Sequence, residues 1–139
     1  MNSQPRAIIS VYDKTTLDLL INYLFNQNYI IYSTGGTYKQ IKSFMTINDI
    51  DQTRLVSISD FTEYSEICNG RVKTLHPKIY GGILNERNNT NHQKDLNDNN
   101  ISNIDIVVAN LYPFEEYNSI ENIDIGGVSL IRAAAKNYK

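Results

Sequence analysis

The segment from Asn69 to Leu84 concentrates the side chains in this sequence that are best suited to binding an anion. Its cationic and imidazole side chains, all within eight residues, are Arg71, Lys73, His76 and Lys78. A helix would not accept Pro77 in its middle, and a buried strand would not carry so many polar groups. The segment is therefore predicted to be a shaped loop in which Gly70, Gly81 and Gly82 are free to adopt backbone angles that other residues avoid. Several donors without a carboxylate suit a phosphate, and the alternative is a basic surface turn.

A second candidate site is the run from Thr34 to Thr37, which contains Gly35 and Gly36 between a predicted strand and a predicted helix. Two glycines allow the backbone to approach an oxyanion, and the start of a helix supplies free N–H groups and a partial positive charge. A simple tight turn would explain the same residues. Lys14 also follows a predicted strand, and it either adds charge to the same phosphate or is a solvated lysine.

Four further residues have both a chemical and a structural interpretation. Asp124 lies between two isoleucines, where it either caps the next helix or orients and deprotonates a substrate amide. Lys136 ends the last predicted helix, where a cation suits the helix dipole. Tyr112 is interpreted as a core residue with its hydroxyl at the rim, and His76 as either a ligand contact or a structural hydrogen-bond donor.

The elements that must position these residues follow from the apolar pattern. Short apolar runs predict strands at residues 7–11, 29–32, 55–58 and 104–109. Spacing typical of amphipathic helices predicts helices at residues 17–24, 38–44, 61–67 and 128–136. Residues 85–103 are mostly polar and are predicted to form a surface excursion, with a short helix held by Leu96 and Ile101.

Strands that alternate with helices indicate an α/β fold with a mostly parallel sheet between two layers of helices. Ligands of such sheets bind beyond the carboxyl ends of the strands. Three polar segments follow predicted strands directly: Ser10–Lys14, Ser33–Thr37 and Asn110–Tyr112. The fold is predicted to bring them to one rim.

The whole chain sets limits on function. Its 139 residues suit one domain, and the net charge of −2 gives no basic field for nucleic acid or a membrane surface. The single cysteine, Cys68, cannot form an internal disulfide and has no metal-ligand spacing around it. No signal peptide or membrane span is visible, which favours a cytoplasmic protein.

Six short sequence blocks are distributed along the chain. They are residues 10–15 (SVYDKT), 34–37 (TGGT), 70–78 (GRVKTLHPK), 110–114 (NLYPF), 123–127 (IDIGG) and 132–137 (RAAAKN). Taken together, these blocks resemble the IMP cyclohydrolase domain, the N-terminal half of the bifunctional purine-biosynthesis enzyme that also carries AICAR transformylase. They occur in the family's order and cover almost the whole chain.

The resemblance implies a methylglyoxal-synthase-like fold, a homodimer, and ring closure of the purine ribotide FAICAR to IMP with loss of water. The step is intramolecular, so positioning supplies much of the acceleration. It also needs a donor for the developing oxyanion and a route for protons to the departing water. No metal or other cofactor is required.

The resemblance also assigns roles to individual residues. The residues expected to hold the phosphate or the rest of the substrate are Ser10, Lys14, Thr34, Gly35, Gly36, Thr37, Arg71, Thr74, Asn110 and Gly126. The residues expected to carry the chemistry are Lys73, Tyr112, Asp124 and Lys136. Asp124 would orient or deprotonate the carboxamide, Lys136 would stabilise the oxyanion, and Lys73 with Tyr112 would relay protons.

Several departures from the family pattern bear on these roles. Tyr12 stands where the family usually has serine, and Tyr80 and Tyr138 stand where it commonly has histidine. The family's domain continues with another strand beyond residue 139, so residues 1–139 are interpreted as a single domain that is truncated at its C-terminus and lacks a transformylase half. A missing strand would leave an open sheet edge.

Two other functions are compatible with the same fold. One is a non-catalytic module that binds a purine ribotide or phosphate. Tyr12 and the short C-terminus leave this alternative open, whereas Lys73, Asp124 and Lys136 favour an enzyme. The other is a methylglyoxal synthase, against which the blocks at residues 71–77 and 110–114 argue.

Overall fold

Four short parallel strands form the sheet at the centre of the molecule. The computed structural model describes residues 4–138. Its strands are β1 (Arg6–Ser10), β2 (Ile30–Ser33), β3 (Leu55–Ser57) and β4 (Ile106–Ala109). Their order is β3-β2-β1-β4, so β1 is central, and Ile8 lies opposite Tyr32 on one side and Val107 on the other. The predicted parallel sheet is confirmed.

In the described part of the chain, six helices flank this sheet. They are α1 (Leu17–Asn26), α2 (Gly35–Ile47), α3 (Ile58–Thr62), α4 (Pro77–Leu84), α5 (Thr90–Asp98) and α6 (Gly126–Lys136). Single 3-10 turns occur at Gln52–Arg54 and Ile120–Asn122. Among residues 4–138, no helix has the length and apolar character needed to cross a membrane.

Helices bury both faces of the sheet, and alternate residues of each strand point to opposite faces. Ala7 and Ile9 of β1 pack with α1 and α2, whose buried side chains include Ile21 and Ile41. Ile8 points the other way and joins a second cluster that is built from α3, α4 and α6. The result is the predicted arrangement of three layers.

The predicted helix over residues 61–67 is wrong in position. Helix α3 begins earlier because the Ser57 hydroxyl accepts a hydrogen bond from the Asp60 N–H at 3.0 Å and so caps its start. It ends at Glu63, whose φ of 58° is left-handed. The helix therefore replaces the end of the predicted third strand, and the chain from Tyr64 to Ile67 is not helical.

The predicted loop over residues 69–84 is also wrong in its second half, which forms α4. Pro77 is the first residue of this helix, where its missing N–H costs nothing. Gly82 is needed for packing rather than for an unusual backbone angle, because a Cβ there would lie 2.6 Å from the Ser102 carbonyl oxygen. The helix thus packs directly on the segment that leads into β4.

Strand β4 forms one edge of the sheet. Among the described residues it pairs only with β1, and all four of its residues are half-buried. An edge of this kind presents unpaired backbone groups.

Candidate active site

One cavity of about 620 Å³ lies beyond the carboxyl ends of the strands. The three polar segments that follow β1, β2 and β4 all contribute to its lining, as predicted from the sequence. The predicted site residues in the lining are Ser10, Lys14, Thr34, Gly35, Gly36, Thr37, Arg71, Lys73, Thr74, Asn110, Tyr112, Asp124 and Gly126. Lys136 is the one predicted site residue that is outside it.

Several groups that attract an anion meet at the first turn of α2. Gly35 has a left-handed φ of 57°, which a residue with a Cβ would adopt only with strain. The Lys73 Nζ lies 3.6 Å from the Cβ position at Gly35, and the Lys14 Nζ lies 3.9 Å from that at Gly36. Two ammonium groups therefore flank a helix start with free N–H groups, which suits an anion such as a phosphate.

Two predicted ligand contacts use their side chains to hold the cavity together. The Thr37 hydroxyl donates to the Val11 carbonyl at 3.0 Å, which ties α2 to the end of β1. The Asn110 side chain accepts from the Tyr12 N–H at 2.6 Å and donates to the Asp13 carbonyl at 2.8 Å. These bonds shape the loop after β1. Because the single hydroxyl proton of Thr37 is used, this residue can offer an anion only its backbone N–H.

Asp124 is bonded to two backbone groups in the wall of the cavity. Its Oδ1 accepts from the Gly127 N–H at 2.6 Å, and its Oδ2 accepts from the Tyr112 N–H at 3.4 Å. The first bond caps the start of α6, as the structural interpretation of this residue predicted. A Cβ at Gly127 would lie 2.8 Å from Oδ1, so the glycine is what allows the carboxylate to lie there.

The fold supplies the carboxylates that the basic segment itself lacks. Arg71 forms an ion pair with Glu121 of the second 3-10 turn, and that carboxylate raises the pKa of the guanidinium. The Lys73 Nζ lies 3.8 Å from Glu66 Oε2. The Lys78 Nζ lies 2.5 Å from Glu63 Oε2 and is outside the cavity lining.

Sequence reasoning missed Glu66 and Glu121, since nothing in their local sequence marks a partner. It also missed the contact between Tyr12 and Tyr112, whose rings meet edge to face with centroids 5.4 Å apart. Tyr12 lines the cavity and is about half exposed, so it extends the wall near Tyr112 instead of filling the space.

His76 and Lys136 have clear structural positions. The His76 Nδ1 accepts from the Lys78 N–H at 3.2 Å and caps α4, so it acts as an acceptor where a donor was one of the predictions. Lys136 is exposed in the last turn of α6, whereas Gly126 at the first turn lines the cavity. That separation is about 15 Å along the helix axis, at 1.5 Å per residue.

Among residues 4–138, no group of three or more His, Cys, Asp or Glu side chains is arranged to hold a metal ion. The polar groups that line the cavity are backbone N–H groups, hydroxyls, the amides of Asn69 and Asn110, the cations of Lys14, Arg71 and Lys73, and the carboxylates of Glu121 and Asp124.

The parallel three-layer fold, with a cavity beyond its strand ends, is that of a methylglyoxal-synthase-like domain. The MGS-like domain model matches residues 17–139, and the chain belongs to this family.

Within this family, the chain is similar to PurH proteins. It is 51% identical, over 96% of its length, to the bifunctional purine biosynthesis protein PurH of Caldicellulosiruptor saccharolyticus. The identity to the PurH proteins of Thermoanaerobacter sp. and Staphylococcus aureus is 48% and 46%. The chain spans only 26–28% of the length of these three relatives.

A solved structure supports the same fold. The crystal structure of ForH superposes with a TM-score of 0.79 at 28% identity, and the match covers 99% of this chain and 70% of that chain.

Proposed function

We propose that this chain is an IMP cyclohydrolase domain that closes the ring of FAICAR to give IMP. The observation that carries the proposal is the composition of the cavity. It combines a helix start and two ammonium groups with a carboxylate and a phenol, Asp124 and Tyr112. The relatives of the chain are named as bifunctional purine biosynthesis proteins, which supports a purine ribotide as the ligand.

The phosphate of the ribotide would bind at the start of α2. The N–H groups from Gly35 to Thr37 would donate to its oxygens, and Lys14 would balance its charge. Lys14 is already held in place, because its Nζ donates to the Tyr12 carbonyl at 2.9 Å. Ser10 and Thr34 line the same part of the cavity, while Arg71, Thr74, Asn110 and Gly126 would surround the ribose and the base.

The chemistry is an attack of the carboxamide nitrogen on the formyl carbon of the same molecule. The new N–C bond creates a tetrahedral centre, and the formyl oxygen then leaves as water. Its two hydrogens come from the carboxamide nitrogen and the formamido nitrogen. Asp124 would orient the carboxamide and accept its proton, while Lys73 and Tyr112 would deliver protons to the departing oxygen.

Lys136 is proposed to stabilise the oxyanion on the strength of the family resemblance alone. Because it lies at the far end of α6 from the cavity, the Lys136→Ala variant is a direct test of that assignment. Lys39, an exposed lysine of α2, provides the matched control.

The experiment that tests the proposal follows the ultraviolet change when the purified chain is mixed with FAICAR. Conversion to IMP by the parent and by Lys39→Ala, but not by Lys73→Ala, is the expected result. The absence of conversion by the parent would overturn the proposed activity. If IMP then still protected the parent against thermal unfolding, the chain would be a ribotide-binding module. Release of methylglyoxal from dihydroxyacetone phosphate would indicate the synthase.

The resemblance further supports a cytoplasmic homodimer and a single domain over residues 1–139. Exposed apolar side chains near the cavity and along α6 are consistent with a partner surface; they include Ile123, Ile125, Val128 and Ile131. Sedimentation of the purified chain at several concentrations tests the dimer, and a monomer at all of them would overturn it.

A further inference from the structure

Tyr12 and Tyr112 form an aromatic pair in the lining of the cavity. Their rings meet edge to face, with centroids 5.4 Å apart and an interplanar angle of 65°. Both residues line the cavity, and they are almost half exposed, at 46% and 45%. Rings in this arrangement attract each other beyond the effect of the area that they bury. The pair therefore joins the loop after β1 to the loop after β4 at the surface that a ligand would meet.

The backbone of Tyr12 is anchored on both sides of the residue. Its N–H donates to Asn110 Oδ1 at 2.6 Å, and its carbonyl accepts from Lys14 Nζ at 2.9 Å. The same Asn110 side chain also donates to the Asp13 carbonyl at 2.8 Å. These bonds fix the Tyr12 backbone without any contribution from its ring, so the ring is free to serve another purpose.

The side chain of Tyr112 has weaker support from its own backbone. Its N–H donates to Asp124 Oδ2 at 3.4 Å, which is long for such a bond, and its carbonyl accepts from the Phe114 N–H within the same loop. Neither bond fixes the rotation of the Tyr112 side chain, and an exposed ring can occupy more than one rotamer unless a neighbour restrains it. The ring that the structure places against it is that of Tyr12.

We propose that Tyr12 is a positioning residue that holds the Tyr112 ring so that its hydroxyl faces the reacting end of the bound ribotide. The inference rests on the proposed function, in which Tyr112 delivers a proton to the departing oxygen. Proton transfer needs the donor within about 2.6–3.2 Å of the atom that receives the proton. An unrestrained ring spends part of its time outside that reach. Loss of the Tyr12 ring therefore slows turnover and leaves the binding of the phosphate at the start of α2 intact.

The test compares Tyr12→Phe and Tyr12→Ser with the parent, using kcat and KM for FAICAR and the Kd of IMP. Tyr12→Phe keeps the ring contact and should stay within about 2-fold of the parent in all three. Tyr12→Ser removes the ring and keeps both backbone bonds. Its kcat should fall by about 3- to 10-fold, the effect of losing one aromatic pair, while KM and Kd stay within about 2-fold.

Tyr23→Ser is the matched control, because it removes an exposed tyrosine ring of α1 that is outside the cavity lining. It should match the parent in all three quantities. Because Tyr12 is almost half exposed, its variants should also melt within a few degrees of the parent.

A double-mutant cycle shows whether Tyr12 acts through the Tyr112 hydroxyl. Tyr112→Phe keeps the ring pair and removes the hydroxyl, so Tyr12→Ser should cause no further loss of kcat in that background. Losses that multiply would overturn the inference, and so would an unchanged kcat in Tyr12→Ser. Equal losses in Tyr12→Phe and Tyr12→Ser would also overturn it, since the Tyr12 hydroxyl would then contact the ligand itself.

The results for the parent and for Tyr112→Phe separate this inference from the proposed function. If the parent converts FAICAR and Tyr112→Phe does not lower kcat, the proposed activity stands and the positioning role of Tyr12 is overturned. A parent that does not convert FAICAR would overturn the proposed function, and this inference with it.

Discussion

At the scale of single residues, two of the cations that line the cavity, Arg71 and Lys73, lie beside carboxylates, while Lys14 donates to a backbone carbonyl. Arg71 and Glu121 are both more than three-fifths exposed, at 63% and 68%. Exposed pairs of this kind contribute little to stability, typically about 0–1 kcal/mol. A ligand phosphate or carbonyl would therefore replace Glu121 at a small cost in free energy. The Arg71 guanidinium would pair with Glu121 in the empty cavity and with the ligand in the occupied one.

Asp124 has a structural and a proposed chemical role, and one substitution separates them. Asp124→Asn keeps a side-chain oxygen that accepts from the Gly127 N–H, so the melting temperature should stay within a few degrees of the parent. It removes the carboxylate, so FAICAR turnover should fall by about 10²- to 10⁴-fold. Thermal unfolding and the ultraviolet assay measure the two quantities.

Asp95→Asn, at an exposed position of α5, is the control for loss of a carboxylate and should match the parent in both measurements. Parallel losses of stability and turnover in Asp124→Asn would mean that the residue serves only the start of α6.

At the scale of elements, the spacing of apolar residues predicted the helices and strands whose formation depends on local sequence. The stripe from Leu17 to Leu24 and the apolar runs of β1 and β4 were identified because burial repeats at the spacing of a helix or a strand. The cavity rim followed from that order, since parallel strands end at the same edge. All three predicted rim segments do line the cavity.

Helix α4 was missed because its signals come from tertiary structure. Pro77 and the pair Gly81 and Gly82 have the local character of a loop. Gly82 is instead a site of close approach to Ser102, and no sequence window contains both partners. The carboxylates that pair with Arg71 and Lys73 were missed for a related reason: the chain folding, not the spacing, brings them there.

The two adjacent glycines of α4 should differ sharply when replaced by alanine. Gly82→Ala would place a methyl group 2.6 Å from the Ser102 carbonyl oxygen, which is backbone, and should destabilise the fold by about 1–3 kcal/mol. Gly81→Ala meets the end of the flexible Ile101 side chain at 3.1 Å, so it should be neutral or up to about 1 kcal/mol stabilising, since alanine favours helices. Urea unfolding of both variants measures the difference. Equal effects would mean that α4 lies farther from the Ser102 segment.

The pair between Glu63 and Lys78 links α3 to α4 and should make part of the stability depend on pH. Lys78 lowers the pKa of Glu63 below its ordinary 4.5. A lowered pKa in the folded state gives stabilisation that is present above the unfolded pKa and is lost as pH falls through the folded pKa. Glu63→Gln should therefore have a lower urea midpoint than the parent at about pH 7, and the difference should shrink at acid pH, as the pH falls below 4.5.

Glu115→Gln, an exposed position in the loop after β4, is the control and should follow the parent at neutral and at acid pH. A midpoint for Glu63→Gln that equals the parent's at neutral pH would show that the pair contributes nothing.

At the scale of the whole molecule, a chain of net charge −2 brings several groups that attract an anion together in one place. These groups are Lys14, Lys73 and the start of α2, which meet at the carboxyl ends of the strands. Because the net charge of the chain is negative, its non-specific attraction for polyanions is weak. A small anion is therefore favoured by local geometry rather than by overall charge.

Ligand binding should make this local attraction for an anion measurable as stability of the entire fold. A ligand that binds only the folded state at 100 times its Kd adds about 2.7 kcal/mol, which for a domain of this size raises the melting temperature by roughly 6–10 °C. IMP should give this shift, and inosine, which lacks the phosphate, should give a much smaller one. Lys14→Ala should reduce the IMP shift and Lys39→Ala should preserve it, because of these two lysines Lys14 is the one that lies beside the start of α2. Added salt should weaken the IMP shift by screening the ammonium groups. Equal shifts from IMP and inosine would mean that the start of α2 does not bind the phosphate, because the affinity would then come from the nucleoside alone.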